Sequence, residues 1–497
     1  MTTSIPTFAI VGAVNHGKSS VVSTLAEDDQ VPIDAQAGWT EKSEASSLRD
    51  FFVFYDTPGF QNAFEALAEL KEAPRSADHL KRFREFIARH ANDKEFEAEC
   101  QLFAPLIAGA GIIYVVDGSR PVLDINLAEM EILRLTGQPR LAVINRTGSD
   151  QYVADWKQHL RADFNNAVRE FNAHRASFPD RIELLEALAD TDHAWKPALS
   201  TAAEKVRVEW TDRVRDCGEI IVDLLTTALR HHESGLASPD NQKLRKDAAE
   251  KLKEKYMLAV SKLETTAHSR IIALFRHNLV KAGSSSDPIF SEDLFGEDTW
   301  QIFGLNEKQL IKHAAVYGAI AGASVDVLFG LHSLGLFALS GAAGGAGAAF
   351  LVGKSRPALT VDIPIGTGKV PSFLKRIVPA KIRFNLGGSA LVVGPYRAIN
   401  FPWILLDRAI GTFCYVVNRA HARRDAVTLR ASQLKRVLET HEATSEQWSQ
   451  ENREKVEKLF AAIRKESFSR EDRDTLRRMI TERLADLGTR RIEFPVE

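Results

Sequence analysis

Gly12-Ala13-Val14-Asn15-His16-Gly17-Lys18-Ser19 fits the pattern GxxxxGK[ST], and no other feature constrains so tightly what this chain can fold into. It follows an apolar run, Phe8–Val11, and precedes a helix-like stretch, Ser20–Leu25. In the order strand, glycine loop, helix, backbone N–H groups wrap a phosphate chain, a lysine reaches its outer phosphates and a hydroxyl meets Mg²⁺. The positive end of the helix adds to the attraction. Gly12, Asn15, His16, Gly17, Lys18, Ser19 and Ser20 are therefore the expected phosphate-binding residues, with Lys18 nearest the chemistry and Ser19 on the metal. A nucleoside triphosphate with Mg²⁺ is the expected ligand. His16 reads as an exposed loop residue, because phosphoryl transfer needs positioning more than proton abstraction.

Further apolar runs, Phe51–Tyr55, Gly111–Val116 and Leu141–Ile144, are continuous, as strands buried on both faces should be. Each ends in a polar or glycine-containing turn, where an open α/β sheet places its ligand. Asp56-Thr57-Pro58-Gly59 follows the first of them. Alone it is an ordinary turn. Paired with the loop upstream, Asp56 is expected on Mg²⁺ and Gly59 N–H on the γ-phosphate. Thr40 lies between the two motifs, where a switch segment would bring a second hydroxyl to the metal; a plain surface threonine is the other reading. Asn145-Arg146-Thr147-Gly148 follows Leu141–Ile144 at the place of the guanine-reading Asn-Lys-x-Asp of GTPases. Asn145 fits, and the stem of Arg146 can cover the base. Gly148 stands in place of the specificity aspartate, with Asp150 two residues further on.

At 497 residues the chain exceeds one ordinary core. We expect a GTPase domain over 1–210, a helical region over 211–313, an apolar hairpin over 314–352, and a small β element with charged helices over 353–497. Hydrophobic and charged contents of 44% and 26% are those of a folded protein. A net charge of −2 excludes a global basic excess, and nothing calls for direct nucleic-acid binding. Cys100, Cys217 and Cys414 lie far apart, which argues against a disulfide framework or a zinc site. The start of the chain reads directly into a strand without a signal peptide, so the cytoplasm is the expected compartment.

Between Phe60 and Ala108 the sequence is rich in Glu, Lys, Ala and Leu and reads as an inserted helical pair. Thr211 to about Asn278 is mostly helical, with breaks at Ser238-Pro239-Asp240 and Ser284–Pro288. Leu359–Ile363 and Ala390–Val393 alternate as strands do, and Ile404–Leu487 is helical and charged. Ala314–Val352 differs from everything around it. It carries one charge, Asp326, between Lys312 and Lys354, and holds Gly318-xxx-Gly322 and Gly341-xxx-Gly345. Small residues four apart let helices approach closely. Two arms, Ala314–Leu331 and Leu334–Leu351, approach the roughly 17–25 residues of a bilayer crossing. A tightly packed soluble hairpin is the alternative. A mean hydropathy of −0.18 excludes a polytopic membrane protein, not one hairpin at the inner membrane.

The loop, the Asp-Thr-Pro-Gly, the helical insertion, Tyr114–Asp117 with Arg120–Leu123, the Asn-Arg-Thr-Gly, the glycine-rich segment and Phe401–Arg408 together resemble one bacterial family over nearly the whole chain. It is a GTPase fused to domain of unknown function 3482, in the Era/TrmE-like branch. The resemblance implies a Ras-like P-loop α/β domain followed by a mainly α-helical C-terminal region. It also implies GTP hydrolysis with Mg²⁺. Phe60 stands where many small GTPases place a water-orienting glutamine, so help must come from elsewhere. Asn15 stands where TrmE-like enzymes bind K⁺; bonding its own backbone is the other reading. Lys18, Thr40 and Asn15 are thus the expected catalytic residues. GTP and GDP, an unnamed protein, a membrane reached through 314–352, and a second copy meeting through the GTPase domains are the expected partners. Two functions stand side by side: a GTPase whose nucleotide state controls membrane contact, and a nucleotide-switched scaffold with negligible turnover. A P-loop NTPase without strict guanine specificity is a further alternative.

Overall fold

A computed structural model of the chain describes residues 6–13, 15–26, 52–72, 78–146, 148–164, 167–237, 242–275, 294–295, 297–306, 309, 361–363, 389–396, 398–419, 435–436, 438–439 and 442–490. Thr40 and the whole of 314–352 lie outside the described residues, as does the break at Ser284–Pro288. The chain divides into two compact units. One is Met1–Arg213 with Phe275–Val280 and Val417–Asp425; the other is Val214–Leu274, Lys281–Val416 and Ala426–Glu497.

The first unit is built on a five-stranded parallel sheet of order β2-β1-β3-β4-β5. Its strands are β1 (Thr7–Val11), β2 (Val53–Asp56), β3 (Gly111–Asp117), β4 (Arg140–Asn145) and β5 (Val168–Phe171). Period-two alternation explains why the central strands are apolar throughout. Ala9, Val11, Ile112, Tyr114, Val116, Ala142 and Ile144 feed one core. Phe8, Ile10, Ile113, Val115, Leu141 and Val143 feed the other. The first core is closed by α2 (Ala63–Glu72), α3 (Lys81–Arg89), α4 (Glu97–Ile107), α5 (Asp124–Leu135) and α6 (Val153–Asp163). The second is closed by α1 (Lys18–Ala26), α7 (Phe178–Ala189) and the start of α8 (Lys196–Ala228).

The described residues between Phe60 and Ala108 form three α-helices, α2 to α4, where the composition suggested a pair. A 3₁₀ turn, Lys94–Phe96, separates α3 from α4. Phenylalanines join these helices edge to face, with Phe83 and Phe103 centroids 5.0 Å apart and Phe86 and Phe96 5.3 Å apart.

The second unit contains an antiparallel sheet of order β6-β8-β7, with β6 (Glu233–Ala237), β7 (Val361–Ile363) and β8 (Ser389–Val393). Strand β6 lies inside the stretch read as helical, just before the break at 238–240. The rest of α8 from Val214, helices α9 (Gln242–Leu274), α10 (Glu297–Ile302), α11 (Phe401–Val417), α12 (Gln450–Arg464) and α13 (Arg470–Thr489), and a 3₁₀ turn, Ser445–Gln447, complete its described elements. Arg408 on α11 is buried and forms a two-point pair with Glu264 of α9, at 2.6 and 3.1 Å. Its neighbour Asp407 accepts from Gly304 N–H at 2.9 Å and Ser445 N–H at 2.8 Å. A charge pair so enclosed persists only when its remaining donors and acceptors are met, which Thr299 helps to do for Arg408 at 3.3 Å. Among the described residues no helix is long and apolar enough to cross a membrane.

Candidate functional site

The loop between β1 and α1 crosses the sheet edge with Gly17 at φ +86°, a conformation glycine adopts without strain. A Cβ there would also run into the carboxamide of Asn145. The glycine is thus required twice, by its backbone and by its neighbour. Asn145, at the end of β4, donates through Nδ2 to His16 O at 3.1 Å and accepts at Oδ1 from Ala173 N–H at 3.2 Å. Thr24 of α1 donates to Ala173 O at 2.9 Å. One buried carboxamide therefore ties the phosphate loop to the turn after β5.

Lys18 lies over its own loop, donating to Gly12 O at 2.9 Å and Ala13 O at 3.2 Å. Burial lowers its pKa, and the charges of Asp56 and Glu129 oppose the shift. Asp56, at the end of β2, behaves reciprocally: burial raises its pKa, while Lys18 and hydrogen bonds from Ser19 and Thr57 oppose that. Ser19 donates to Asp56 Oδ2 at 3.2 Å. Asp56 Oδ1 is buried and has no hydrogen-bond partner among the described residues. A serine hydroxyl beside a carboxylate with an uncommitted oxygen is a hard-oxygen donor set, which suits Mg²⁺. Ser20 is buried in the first turn of α1, and Gly59 is buried after Thr57, whose hydroxyl donates to Ile10 O at 2.7 Å.

Asn15 is exposed and has φ +66°, a left-handed conformation that asparagine tolerates better than most residues. His16 corrects the expectation of an exposed side chain, being only 6% exposed. Burial, with Arg120 and Lys18 near, lowers its pKa to about 4, so the ring is neutral at neutral pH. Its Nδ1 is buried without a hydrogen-bond partner among the described residues. The groups around the ring, Val115, Asp117 and Arg120, come from β3 and the turn after it, about a hundred residues away, which is why the burial was not legible.

Phe60 is partly buried and packs on the first core, 6.2 Å from Phe103. Arg146 directs its guanidinium to Asp150, with Nε–Oδ1 at 2.8 Å, and to Glu170 at 2.9 Å. Asp150 is thus engaged in a two-point ion pair. The structure brings Gly12, Lys18, Ser19, Asp56 and Asn145 together at the C-terminal ends of β1, β2 and β4, while Thr40 lies outside the described residues.

Three contributors escaped sequence reasoning. Ala173 meets Asn145 from a turn whose preceding strand, β5, is short and half charged. Glu99 of α4 is fully buried and accepts from Gln61 and Asn62 N–H, both at 2.7 Å, just past Gly59. Ser119 lies in the turn after β3. An acidic residue inside an otherwise apolar helix face was the available signal for Glu99.

A family model described as 50S ribosome-binding GTPase matches residues 7–146. The model of domain of unknown function 3482 matches residues 158–486. Among solved structures the chain is similar to a probable GTP-binding protein engB, with 16% identity. That match covers 37% of this chain and 97% of the other, at a TM-score of 0.22. No curated protein matches. Since the second model spans more than half of the sequence, this protein belongs to the family of domain of unknown function 3482, and it carries a GTPase domain ahead of that domain.

Proposed function

We propose that this protein binds GTP with Mg²⁺ and hydrolyses it to GDP and phosphate. The observation that carries the reading is the convergence of Lys18, Ser19 and Asp56 at one sheet edge, with an Asp56 oxygen left uncommitted in a buried position. Lys18 would exchange its loop carbonyls for β- and γ-phosphate oxygens, and Gly59 N–H would hold the γ-phosphate. Ser19, Asp56 and Thr40 would hold Mg²⁺, which neutralises phosphate charge when bound. Asn145 and the stem of Arg146 would position the base. Attack of water on the γ-phosphorus breaks its bond to the bridging oxygen, and that bridge leaves with GDP.

Phe60 supports slow intrinsic turnover, since an apolar ring packed against Phe103 offers no hydrogen bond to a water molecule. Asn15, exposed at the rim of the loop, would supply a K⁺ ligand there, and the cation would offset charge developing between the β- and γ-phosphates. The nucleotide state would then govern contact of the C-terminal region with a membrane or protein, through 314–352, or pairing of two GTPase domains. The composition of that segment, with Asp326 its one charge, supports the membrane.

Phosphate release from GTP tests the reading. It should require Mg²⁺, rise about tenfold when K⁺ replaces Na⁺ at constant ionic strength, and lose that rise in Asn15→Ala. Lys18→Ala should abolish nucleotide binding without unfolding the chain, because its charge has the ligand as partner. Wild-type affinity in folded Lys18→Ala would refute the site. Turnover indifferent to K⁺ would instead assign the missing charge to a partner's arginine.

A further inference from the structure

The base end of the site lacks the carboxylate that ordinarily selects guanine, because residue 148 is glycine. The space for a side chain there is already taken. A Cβ on Gly148 would stand 2.8 Å from Ser119 Cβ and 3.0 Å from Ser119 Oγ. The hydroxymethyl group of Ser119 reaches this place from the turn after β3. It does so because β3 and β4 pair through Asp117 and Asn145. Gly118 N–H also donates to Asn145 O at 3.0 Å, so the two turns leave the sheet side by side.

Ser119 is held firmly. Its N–H and its hydroxyl both donate to Asp117 Oδ1, at 2.9 and 2.6 Å. Asp117 is itself buried, and its other oxygen meets Arg120 Nε at 3.2 Å. A hydroxyl has one proton and two lone pairs. With the proton committed to Asp117, Ser119 Oγ offers only lone pairs to anything else, and a carboxylate stands behind it. Guanine presents two donors on its Watson–Crick edge, N1–H and the amino group at C2. Adenine presents a lone pair at N1 and no amino group at C2. An acceptor-only group favours the first and repels the second.

We propose that Ser119, oriented by Asp117, accepts from the imino–amino edge of guanine in place of a carboxylate at position 148. The proposal rests on the GTP-binding reading above and adds to it the source of base selection. Asp150 is the competing carboxylate, and its two-point pair with Arg146 already occupies it.

Competition of GTP and ATP for the full-length protein, with a fluorescent GDP as the displaced probe, tests this. Ser119→Ala should weaken GTP by about tenfold, the worth of one charge-backed hydrogen bond, while ATP moves by about twofold or less. The pair Ser119→Gly with Gly148→Asp should restore GTP preference, because it vacates the space and returns a carboxylate to it. Gly148→Asp alone should fail to raise selectivity, since Ser119 stands in its way. A GTP/ATP ratio unmoved by Ser119→Ala, or one lost in Asp150→Asn instead, overturns the assignment of Ser119. So does a wild type that binds both nucleotides equally, which leaves nucleotide binding intact. A wild type that binds neither overturns the GTP-binding reading as well.

Discussion

Asp407 shows how one residue records a conflict between burial and charge. It is fully enclosed, and burial raises its pKa to about 6 despite the N–H groups of Ser445 and Gly304 that favour the carboxylate. The folded state therefore holds the proton more tightly than the unfolded chain, in which an aspartate titrates near 3.8. The sign follows: stability from this group is fully present below about pH 4 and is lost as pH rises through about 6. Buried His268, with a pKa lowered to about 4, acts oppositely, since its neutral ring must be protonated as pH falls. Only comparison with a non-titrating variant isolates Asp407. Asp407→Asn should destabilise the full chain in urea, because one of the two N–H groups then faces an amide NH₂. That loss should be larger at pH 5 than at pH 7.5 by about 1 kcal/mol. A cost independent of pH would mean that Asp407 does not titrate in this range. At the nucleotide site Lys18 and Asp56 face the same conflict but soften it by standing near each other.

At the scale of elements, the helices between β2 and β3 do more than fill one side of the sheet. Glu99 projects from α4 to the segment between Gly59 and α2, and one oxygen accepts two successive N–H groups, those of Gln61 and Asn62. The Asn62 side chain adds a bond to Glu95 O at 2.6 Å. The inserted helix α4 thus fixes the backbone that directly follows the Asp56–Gly59 turn. Glu99→Ala should cost about 2 kcal/mol by leaving the two amides unpaired, whereas Glu99→Gln, which keeps an acceptor oxygen, should cost less. Hydrogen exchange reads the effect directly, and the amides of Gln61 and Asn62 should exchange faster in the alanine variant. Unchanged protection of both would rule out the clamp. The contact also marks where sequence reading stops. The phosphate loop, Asp56–Gly59 and Asn145 were legible because contiguous spacing and a preceding apolar strand suffice to define them. Glu99 meets a partner 38 residues away and Ser119 stands beside Gly148 from 29 residues upstream, and only the fold says which faces meet. Strand β5 was hidden because Val-Arg-Glu-Phe is short, lies at the sheet edge and is only partly buried. Strand β6 was hidden because its partner β8 follows more than a hundred residues later.

For the whole molecule the open question is what the apolar stretch 314–352 meets. The GTPase sheet carries a core on each of its faces, both built from residues of the first unit, so that domain is expected to fold without the stretch. If the segment contacts lipid, deleting 314–352 should leave a protein that still binds nucleotide and no longer floats with liposomes. The full chain should float, and a nonhydrolysable GTP analogue should change how much does. If the segment is core instead, its deletion removes buried apolar surface at about 25 cal/mol per Å² and should collapse the second unit, with loss of the buried environments of Trp300, Trp403 and Trp448. Gly322→Asp separates the two outcomes without a deletion. In a membrane hairpin it places a charge in hydrocarbon, at about 3 kcal/mol, and should weaken lipid binding while the denaturation midpoint stays put. In a soluble core the midpoint should fall, because a charge is then buried without a partner. The lone Asp326 and the paired glycines favour lipid. Full-length protein that stays monodisperse without detergent and ignores liposomes in every nucleotide state would reverse that choice.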